Sequence, residues 1–229
     1  MNSEKRVVSI AIDGPSGAGK STLARAAAKE LGLLYVDTGA IYRTVALHAL
    51  RRGVEPKDAA GLAALLPETG VTMEYDPDGL QRMFLNGEDV TDLIRTQEVS
   101  MAASSLSAHP AVRSFLLEMQ RDMARRHSVI MDGRDIGTVV LPGADVKIFL
   151  TAGSEARARR RWLELQQRGT PRDFDQLLRE TRERDENDMN RAAAPLRPAE
   201  DAVTLDTTEL SFQESLARMI EIIRERTGL

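Results

Sequence analysis

Cysteine is absent from the 229 residues of this chain. Its absence excludes disulfide bonds, thiolate catalysis and cysteine-ligated zinc, and it fits a reducing compartment. Histidine is scarce as well, because only His48, His109 and His127 occur, and they are scattered along the chain. A protein metal site needs several such ligands close together, so we expect none built on histidine.

No apolar stretch approaches the roughly 18 residues that a membrane span requires. Residues 1–6 lead into a short apolar strand and not into the hydrophobic core of a signal peptide. A formal net charge of −4 gives the chain no overall basic field with which to hold a nucleic acid. We therefore expect a soluble, cytoplasmic monomer that has neither a membrane nor a nucleic acid as partner.

Hydrophobic residues make up 42% of the chain and charged residues 29%, which is ordinary for a globular protein. Short apolar segments predict strands at residues 7–12, 33–36, 129–131, 146–150 and 202–205. Longer patterns predict helices at residues 20–31, 40–52, 111–127, 155–168, 174–191 and 211–227. This alternation indicates an α/β fold of three layers, a parallel sheet flanked by helices on both faces, within one domain spanning residues 1–229.

Residues 67–92 depart from that alternation. Asp78-Gly79 and Asn86-Gly87 are hairpin-turn signals, and they separate three short strand patterns. We therefore expect a small antiparallel β insert between two helical segments of the main domain.

Residues 7–22 carry the clearest motif. An apolar run of strand length is followed by G-x-x-x-x-G-K-S and then by strong helix formers, which is the setting that a phosphate-binding loop requires. Glycines bring backbone N–H groups close to phosphate oxygens, and the helix start adds positive potential. Lys20 would reach the β- and γ-phosphates, and the Ser21 hydroxyl would ligate Mg²⁺. The residues predicted to bind the triphosphate are Gly14, Pro15, Ser16, Gly17, Ala18, Gly19, Lys20, Ser21 and Thr22.

A glycine loop alone does not distinguish a GTPase, an ATPase motor and a small-molecule kinase, and three further clusters bear on that choice. In the first, residues 37–43, Thr38 can cap a helix that begins near Ala40. Arg43 falls in the first turn of that helix, where a cation is unfavourable to the helix dipole. We interpret this as a sign that an anion occupies the space above the helix end.

The second cluster, residues 132–137, follows a predicted strand. Asp132 at the strand end either orients the hydration shell of Mg²⁺ or has a structural role in the turn, and the sequence leaves both open. Arg134 and Asp135 fall at the ligand edge of the sheet, where they can face a substrate.

The third cluster lies on the predicted helix 174–191. One stripe of this helix contains Phe174, Leu177, Thr181, Arg184, Asp188 and Arg191. Its charged end either forms an i, i+4 ion pair between Arg184 and Asp188 or turns charges toward a ligand. Because the triphosphate site needs charge neutralisation, we favour the second interpretation and a kinase. The rival is a nucleotide switch or a nucleic-acid-binding ATPase, which the arginines suggest and the net charge of −4 opposes.

The segments GPSGAGKST, DTGAIYR, IRTQEV, DGRDIGTVV and RDENDMNR, in this order and at this spacing, resemble those of the bacterial cytidylate kinases, which are P-loop nucleoside monophosphate kinases. The resemblance covers nearly the whole chain. It implies a P-loop NTPase fold in which residues 67–92 lie on the monophosphate-binding side and residues 155–191 form a helical lid. It also implies that ATP phosphorylates CMP and dCMP with the help of Mg²⁺. A kinase of another small acceptor, such as UMP or AMP, is the alternative.

The resemblance also implies roles for individual residues. Those that match binders of the acceptor phosphate are Arg43, Arg134 and Arg184. Those that match residues facing the sugar are Thr38 and Asp188, and those that match readers of cytosine are Ser104, Arg113 and Asp135. Arg191 matches an arginine near the transferring phosphoryl group, so the implied catalytic set is Lys20, Arg134, Arg184 and Arg191. The arginines of residues 157–161 either contact ATP from the lid or form a solvated helix face.

The implied chemistry requires no general base. A phosphate acceptor is already ionised near neutral pH, so catalysis reduces to positioning and to charge stabilisation by Mg²⁺, Lys20 and arginines. Cytosine presents an amino donor beside two acceptors, which a carboxylate next to arginine and serine donors complements. Uracil would place an oxygen against that carboxylate, a polar mismatch that such sites reject.

Overall fold

The computed structural model describes residues 6–191 and 193–229. Its strands are β1 (Ser9–Asp13), β2 (Leu34–Asp37), β3 (Val71–Tyr75), β4 (Gln81–Leu85), β5 (Glu88–Asp89), β6 (Val129–Gly133), β7 (Val146–Thr151) and β8 (Val203–Asp206). Its α-helices are α1 (Lys20–Leu31), α2 (Thr38–Arg51), α3 (Ala59–Leu65), α4 (Gln97–Leu106), α5 (Pro110–Arg126), α6 (Ser154–Gln167), α7 (Phe174–Asn190) and α8 (Phe212–Thr227). Short 3-10 segments lie at Leu66–Glu68 and Leu93–Arg95, and a π-helical turn lies at Ile136–Val140. The predicted domain 1–229 includes residues 1–5 and 192, which lie outside the described ranges, and its extent stays a prediction.

Five strands form one parallel sheet in the order β2-β6-β1-β7-β8. They overlap all five segments that predict strands. Each strand ends one or two residues later than predicted, because polar residues such as Asp13, Asp37 and Asp132 continue the pairing at the carboxyl edge of the sheet. The extra residues are those that matter for ligands, since parallel sheets bind them at that edge.

The central strand shows why helices cover both faces of this sheet. Ile10 and Ile12 of β1 belong to a buried cluster with α1 and α8. Ala11, between them, belongs to a second cluster with α2, α3, α4 and α5. This is the alternation expected of a strand with apolar layers above and below it. It confirms the predicted α/β fold of three layers.

The six predicted helices are present, but the sequence patterns do not predict α3 and α4. The helix α3 has only 7 residues and α4 has only 10, and helices this short are marginal on their own even when they contain good helix formers. Each begins at a side-chain cap, Asp58 for α3 and Thr96 for α4. Both bury apolar residues in the cluster that α2 and α5 share. Packing therefore stabilises two helices that are too short to be stable alone.

The strands β3, β4 and β5 form a separate antiparallel sheet, which confirms the small antiparallel element expected between residues 67 and 92. Val71, Met83 and Leu85 are buried in the same cluster as α2. The small sheet therefore packs on the main domain through one apolar face. Its bounds as an insert stay a prediction.

The highly charged helices α6 and α7 pack against each other. They cover the range 155–191, for which the role of a lid stays a prediction. No helix within the described ranges is both long and apolar enough to cross a bilayer.

Gly14, directly after β1, is a position where a side chain is strongly disfavoured. Its φ of 149° is unfavourable for L residues, and a Cβ there would collide with the carbonyl oxygen of Leu150 in β7. We expect Gly14→Ala to lower the free energy of unfolding by more than about 3 kcal/mol in a urea titration. Gly143→Ala is the matched control, because its Cβ position is open, and it should change that free energy by less than about 0.5 kcal/mol. Equal effects of the two changes would contradict the proposed collision.

Candidate active site

A cleft of about 550 Å³ opens at the carboxyl edge of the parallel sheet. The predicted site residues that line it are Ser16, Gly17, Gly19, Lys20, Ser21, Thr22, Thr38, Arg43, Ser104, Arg113, Arg134, Asp135, Arg184, Asp188 and Arg191. Three predicted residues do not line it. Ala18 is buried in the core, Gly14 approaches β7, and Pro15 turns its carbonyl oxygen to Lys20. The structure thus brings the predicted donor and acceptor residues into one cavity.

The glycine loop leads directly into α1. Gly19, at the cap position, has a left-handed φ of 91° and no side chain with which to cap the first turn. The N–H groups of that turn suit an anion, which the helix dipole also favours. Lys20 is buried and donates its Nζ to the carbonyl oxygen of Pro15 at 2.7 Å. Desolvation, and then the nearby cation of Arg134, lower the pKa of this ammonium group, an effect that a phosphate would counter.

The carboxylate of Asp132, at the end of β6, joins the glycine loop to β2. Its Oδ2 accepts from the Ser21 hydroxyl at 2.7 Å, and its Oδ1 accepts from the Tyr35 hydroxyl at 3.0 Å. Burial, and then the nearby carboxylate of Asp37, raise the pKa of Asp132 to about 6. Of the two roles that the sequence leaves open, the contact with Ser21 favours the one beside Mg²⁺.

Ser21 and Asp132 fit a magnesium ion that is held jointly with phosphates. Mg²⁺ is usually bound through one or two protein oxygens and completes its shell with substrate phosphates and waters. Across residues 6–191 and 193–229, no group of three or more histidine, cysteine, aspartate or glutamate side chains is placed to hold a metal by itself. The donor set therefore suits a metal that arrives with the nucleotide.

The structure corrects the predicted cap of α2. Asp37, and not Thr38, caps the helix, because its Oδ1 accepts from the N–H of Ala40 at 2.9 Å. Thr38 is already helical, and its hydroxyl donates to the carbonyl oxygen of Asp132 at 2.7 Å. The helix thus begins two residues earlier than predicted, and Arg43 lies in its second turn and not its first. Arg43 pairs with Asp37 Oδ2 at 3.0 Å, so the dipole argument for an anion there no longer applies.

The arginines themselves point to an anion. Arg134 Nε donates to Asp188 Oδ2 at 2.7 Å, so Asp188 pairs with Arg134, and the alternative of an ion pair between Arg184 and Asp188 is wrong. Desolvation, and then Arg134, lower the pKa of Arg184, and Arg43 acts in the same direction. Cations this close repel one another. A phosphate between them would relieve that repulsion.

Asp135, Arg113 and Arg191 form a buried charged group beside these arginines. Asp135 pairs with Arg113, and Arg191 Nη2 lies 3.7 Å from Asp135 Oδ1. Arg191 Nη2 and Arg43 Nε are both buried without a hydrogen-bond partner among the described residues. Buried donors are normally satisfied, so these spare N–H groups point to a polar ligand in the cleft. Ser104 lines the same cleft from α4.

The arginines of residues 157–161 differ in whether they line the cleft. The members that line the cleft are Arg157, Arg160 and Arg161. Arg159 is exposed. Arg157 is buried, and it donates to the Ser16 carbonyl oxygen at 2.9 Å and to both carboxylate oxygens of Asp185. It therefore joins α7 to the glycine loop, a role that periodicity does not reveal because three more arginines follow within four residues.

Asp13, which the sequence patterns do not single out, ties the turn after β6 to the glycine loop. Its Oδ1 and Oδ2 accept from the N–H groups of Ile136 and Gly137, each at 2.7 Å. Burial raises the pKa of Asp13 to about 6, although these two hydrogen bonds oppose the shift. The two bonds fix the turn that carries Arg134 and Asp135 against the start of the loop.

A parallel sheet with a phosphate-binding glycine loop at its carboxyl edge, faced by arginines across one cleft, defines a P-loop nucleotide-binding protein. Residues 10–225 match the sequence model of the cytidylate kinase family. The chain belongs to the cytidylate kinase family, as its motifs imply.

Individual relatives agree with this assignment. The chain is 51% identical over 215 residues to the cytidylate kinase of Caldicellulosiruptor bescii, covering 94% of this chain and 95% of that protein. It is 54% identical over 211 residues to the cytidylate kinase of Pelotomaculum thermopropionicum, covering 92% and 93%. Among solved structures, an uncharacterized protein from Eubacterium ventriosum aligns with a TM-score of 0.51 at 11% identity, over 96% of this chain and 99% of that one. That last likeness shows the fold alone.

The two buried aspartates should respond oppositely to the same substitution. For each, the pKa is raised from 3.8 to about 6, so the folded protein binds more protons than the unfolded chain between these values. The free energy of unfolding therefore falls as pH rises through that window, by up to about 3 kcal/mol for each group at pH 7. Asparagine removes this cost at both positions.

Asp132→Asn should raise the free energy of unfolding at pH 7.5 by about 1–3 kcal/mol, because asparagine can accept from Tyr35 and donate to Ser21 Oγ. Asp13→Asn should lower it, because the new NH₂ group faces the N–H of Gly137 and leaves a buried donor unsatisfied. Urea titrations of both variants at pH 7.5 measure the difference. Changes of the same sign would show that the partners of the two carboxylates do not matter as described.

Proposed function

We propose that this protein transfers the γ-phosphoryl group of ATP to the phosphate of CMP and dCMP. The observation that carries the proposal is the single cleft in which a triphosphate-binding loop faces an arginine-lined second anion site. Membership of the cytidylate kinase family supports the choice of acceptor. A kinase whose acceptor group is itself a phosphate needs two anion sites in one cavity, whereas an enzyme that only hydrolyses ATP needs one.

The donor half is the glycine loop with α1. Its backbone N–H groups and Lys20 bind the ATP phosphates, and the residues assigned to this half are Gly14, Pro15, Ser16, Gly17, Ala18, Gly19, Lys20, Ser21 and Thr22. Ser21 and Asp132, whose side chains are hydrogen-bonded to each other, would hold Mg²⁺ at this site. The metal would supply neutralisation of the phosphate charge of ATP.

The acceptor half binds the phosphate through Arg43, Arg134 and Arg184. The mutual repulsion of these cations supports that role, because an anion offsets it. Thr38 and Asp188 lie beside them in the cleft and face the sugar of the acceptor. The bond between Asp188 and Arg134 couples the sugar contact to the phosphate contact.

Asp135, Arg113 and Ser104 read the cytosine. Asp135 and Arg113 are side by side and largely buried, with side-chain exposures of 7% and 11%, so they present an acceptor and a donor with fixed positions. The carboxylate accepts from the cytosine amino group, and the guanidinium donates to its ring acceptors. The burial makes a mismatched base costly, because it would leave these groups unpaired.

In the transfer step, an ionised oxygen of the acceptor phosphate attacks the γ-phosphorus of ATP. The bond to the bridging oxygen breaks, and ADP leaves with that electron pair. Lys20, Arg134, Arg184 and Arg191 stabilise the charge that spreads over the transferring group. Arg191 Nη2 is buried and has no hydrogen-bond partner within the described ranges, which supports its place in this set. A cytoplasmic monomer stays a prediction of the sequence.

The choice of acceptor is tested by a coupled assay of ADP formation with CMP, dCMP, UMP and AMP. We expect kcat/KM for CMP and dCMP to exceed that for UMP and AMP by about 100-fold or more, because a buried carboxylate repels the uracil oxygen. ATP without an acceptor is the control and should give little ADP. A preference for UMP or AMP would contradict the cytosine assignment, and ADP formation that ignores all four acceptors would contradict a kinase.

The Asp135→Ala variant tests the base readers. It should lower the ratio of kcat/KM for CMP over UMP by about 10- to 100-fold, while KM for ATP changes less than about threefold. The control is Asp122→Ala, which removes a carboxylate that forms exposed ion pairs on α5 and does not line the cleft. An equal loss of rate with every acceptor would instead indicate that Asp135 only holds Arg113 and Arg191 in place.

A further inference from the structure

The outer edge of β2 is met by side chains of the small antiparallel sheet. The Tyr75 hydroxyl donates to the carbonyl oxygen of Tyr35 at 3.0 Å. The Gln81 side chain accepts from the N–H of Asp37 at 2.7 Å through Oε1 and donates to its carbonyl oxygen at 3.2 Å through Nε2. Tyr75 and Gln81 stand directly opposite each other in the pairing of β3 with β4. One cross-strand pair thus meets alternate residues of an edge strand.

The Gln81 amide acts as a short piece of neighbouring strand. Its carbonyl oxygen and one N–H of its NH₂ group match the acceptor and the donor of a peptide group, and they satisfy both main-chain groups of Asp37. Gln81 is only 9% exposed, so water cannot easily replace these bonds. We call the pair of hydrogen bonds between Gln81 and the main chain of Asp37 the Gln81 bridge.

Asp37 connects this bridge to the acceptor site. Its Oδ1 caps α2 through the N–H of Ala40 at 2.9 Å, and its Oδ2 holds Arg43 at 3.0 Å. Arg43 lines the cleft, and its buried Nε has no partner among the described residues. A shift of the Asp37 main chain would move both carboxylate oxygens and, with them, the guanidinium group. The glycine loop bonds to Asp132 and not to Asp37, so it would be moved less.

We infer that Gln81 is a positioning residue for the acceptor phosphate, which it orients by fixing Asp37 and thereby Arg43. This inference rests on the proposed function of the cleft. Gln81 does not line the cleft. Its contribution is to make the position of the small sheet and the position of one phosphate-binding arginine depend on each other.

The Gln81→Glu variant tests the hydrogen bond that Gln81 donates to the carbonyl oxygen of Asp37. An ionised glutamate still accepts from the N–H of Asp37 but repels its carbonyl oxygen, whereas a protonated glutamate donates to that oxygen and restores the bridge. The charged groups that line the cavity of about 240 Å³ around Gln81 are Arg25, Asp37, Asp76, Arg82, Asp92 and Arg95. Dividing KM of the variant by KM of the unsubstituted protein at the same pH removes the effect that titration of these groups and of the acceptor phosphate has on KM.

We expect KM for CMP in Gln81→Glu to be raised about tenfold over the unsubstituted protein at pH 8, and less than about twofold at pH 5.5. KM for ATP should stay within about twofold at both values, because the donor loop does not depend on the bridge. A ratio for CMP that does not recover as the pH falls would overturn the inference.

Two further variants separate positioning from simple docking of the small sheet. Gln81→Met keeps the volume but removes both hydrogen bonds, and it should raise KM for CMP about tenfold at every pH. Tyr75→Phe is the matched control, since it removes the bond from the same small sheet to the same strand but at Tyr35, away from Asp37. It should leave KM for CMP within about twofold. Equal increases in the two variants would overturn the inference.

Hydrogen exchange of the Asp37 amide, followed by NMR without nucleotide, keeps this test separate from the proposed function. Gln81→Met should speed that exchange at least tenfold, and Tyr75→Phe should leave it within about threefold. Unchanged exchange in Gln81→Met would overturn the bridge itself. Failure of the unsubstituted protein to phosphorylate CMP would instead overturn the proposed function, together with the role of the bridge in acceptor binding.

Discussion

The buried carboxylate of Asp132 is the group on which the site depends most. The carboxylate accepts hydrogen bonds from the hydroxyls of Ser21 and Tyr35, and the main-chain carbonyl oxygen of Asp132 accepts one from the Thr38 hydroxyl. One residue thus fixes the glycine loop, β2 and the start of α2 relative to each other. Its charge is unfavourable in this place, because burial raises its pKa to about 6. Keeping this carboxylate ionised beside Lys20 at neutral pH lowers the stability of the fold. A bound metal ion beside the carboxylate and phosphates beside Lys20 would offset that cost.

The arginines of the cleft show the same link between a loss of stability and a capacity to bind a charged ligand. Arg43, Arg134 and Arg184 line one cleft, where desolvation, Arg134 and Arg43 lower the pKa of Arg184. Arg191 Nη2 is buried there with no hydrogen-bond partner among the described residues. Such arrangements lower stability, and they persist at sites that bind an oppositely charged ligand. Asp188 offsets part of the cost by pairing with Arg134. Incomplete pairing leaves donors for a phosphate, so the features that weaken the folded protein are those that would bind the substrate.

The fold and most of the cleft follow from patterns that are local in the sequence. The glycine loop and the five apolar strands are read from neighbouring residues, and α1 has the predicted bounds. Interactions between distant segments are harder to predict. The helices α3 and α4 depend on packing, and the Thr38 hydroxyl bonds to the distant Asp132 while Asp37 caps α2. Asp188 pairs with Arg134 and not with Arg184 on its own helix. In each case a tertiary partner competes successfully with the local pattern.

Positioning residues are hardest to find because their partners are main-chain groups, which every residue has. Asp13 binds the N–H groups of Ile136 and Gly137, and Gln81 binds both main-chain groups of Asp37, 44 positions away. Neither residue belongs to a cluster of catalytic side chains, and no residue type at the partner position signals the contact. Asp13 nevertheless holds the turn with Arg134, and Gln81 binds the partner of Arg43, so both contacts bear on the proposed acceptor half. On the proposed function, the acceptor half is held from two sides by residues that do not line the cleft, so its geometry should be sensitive to changes outside it.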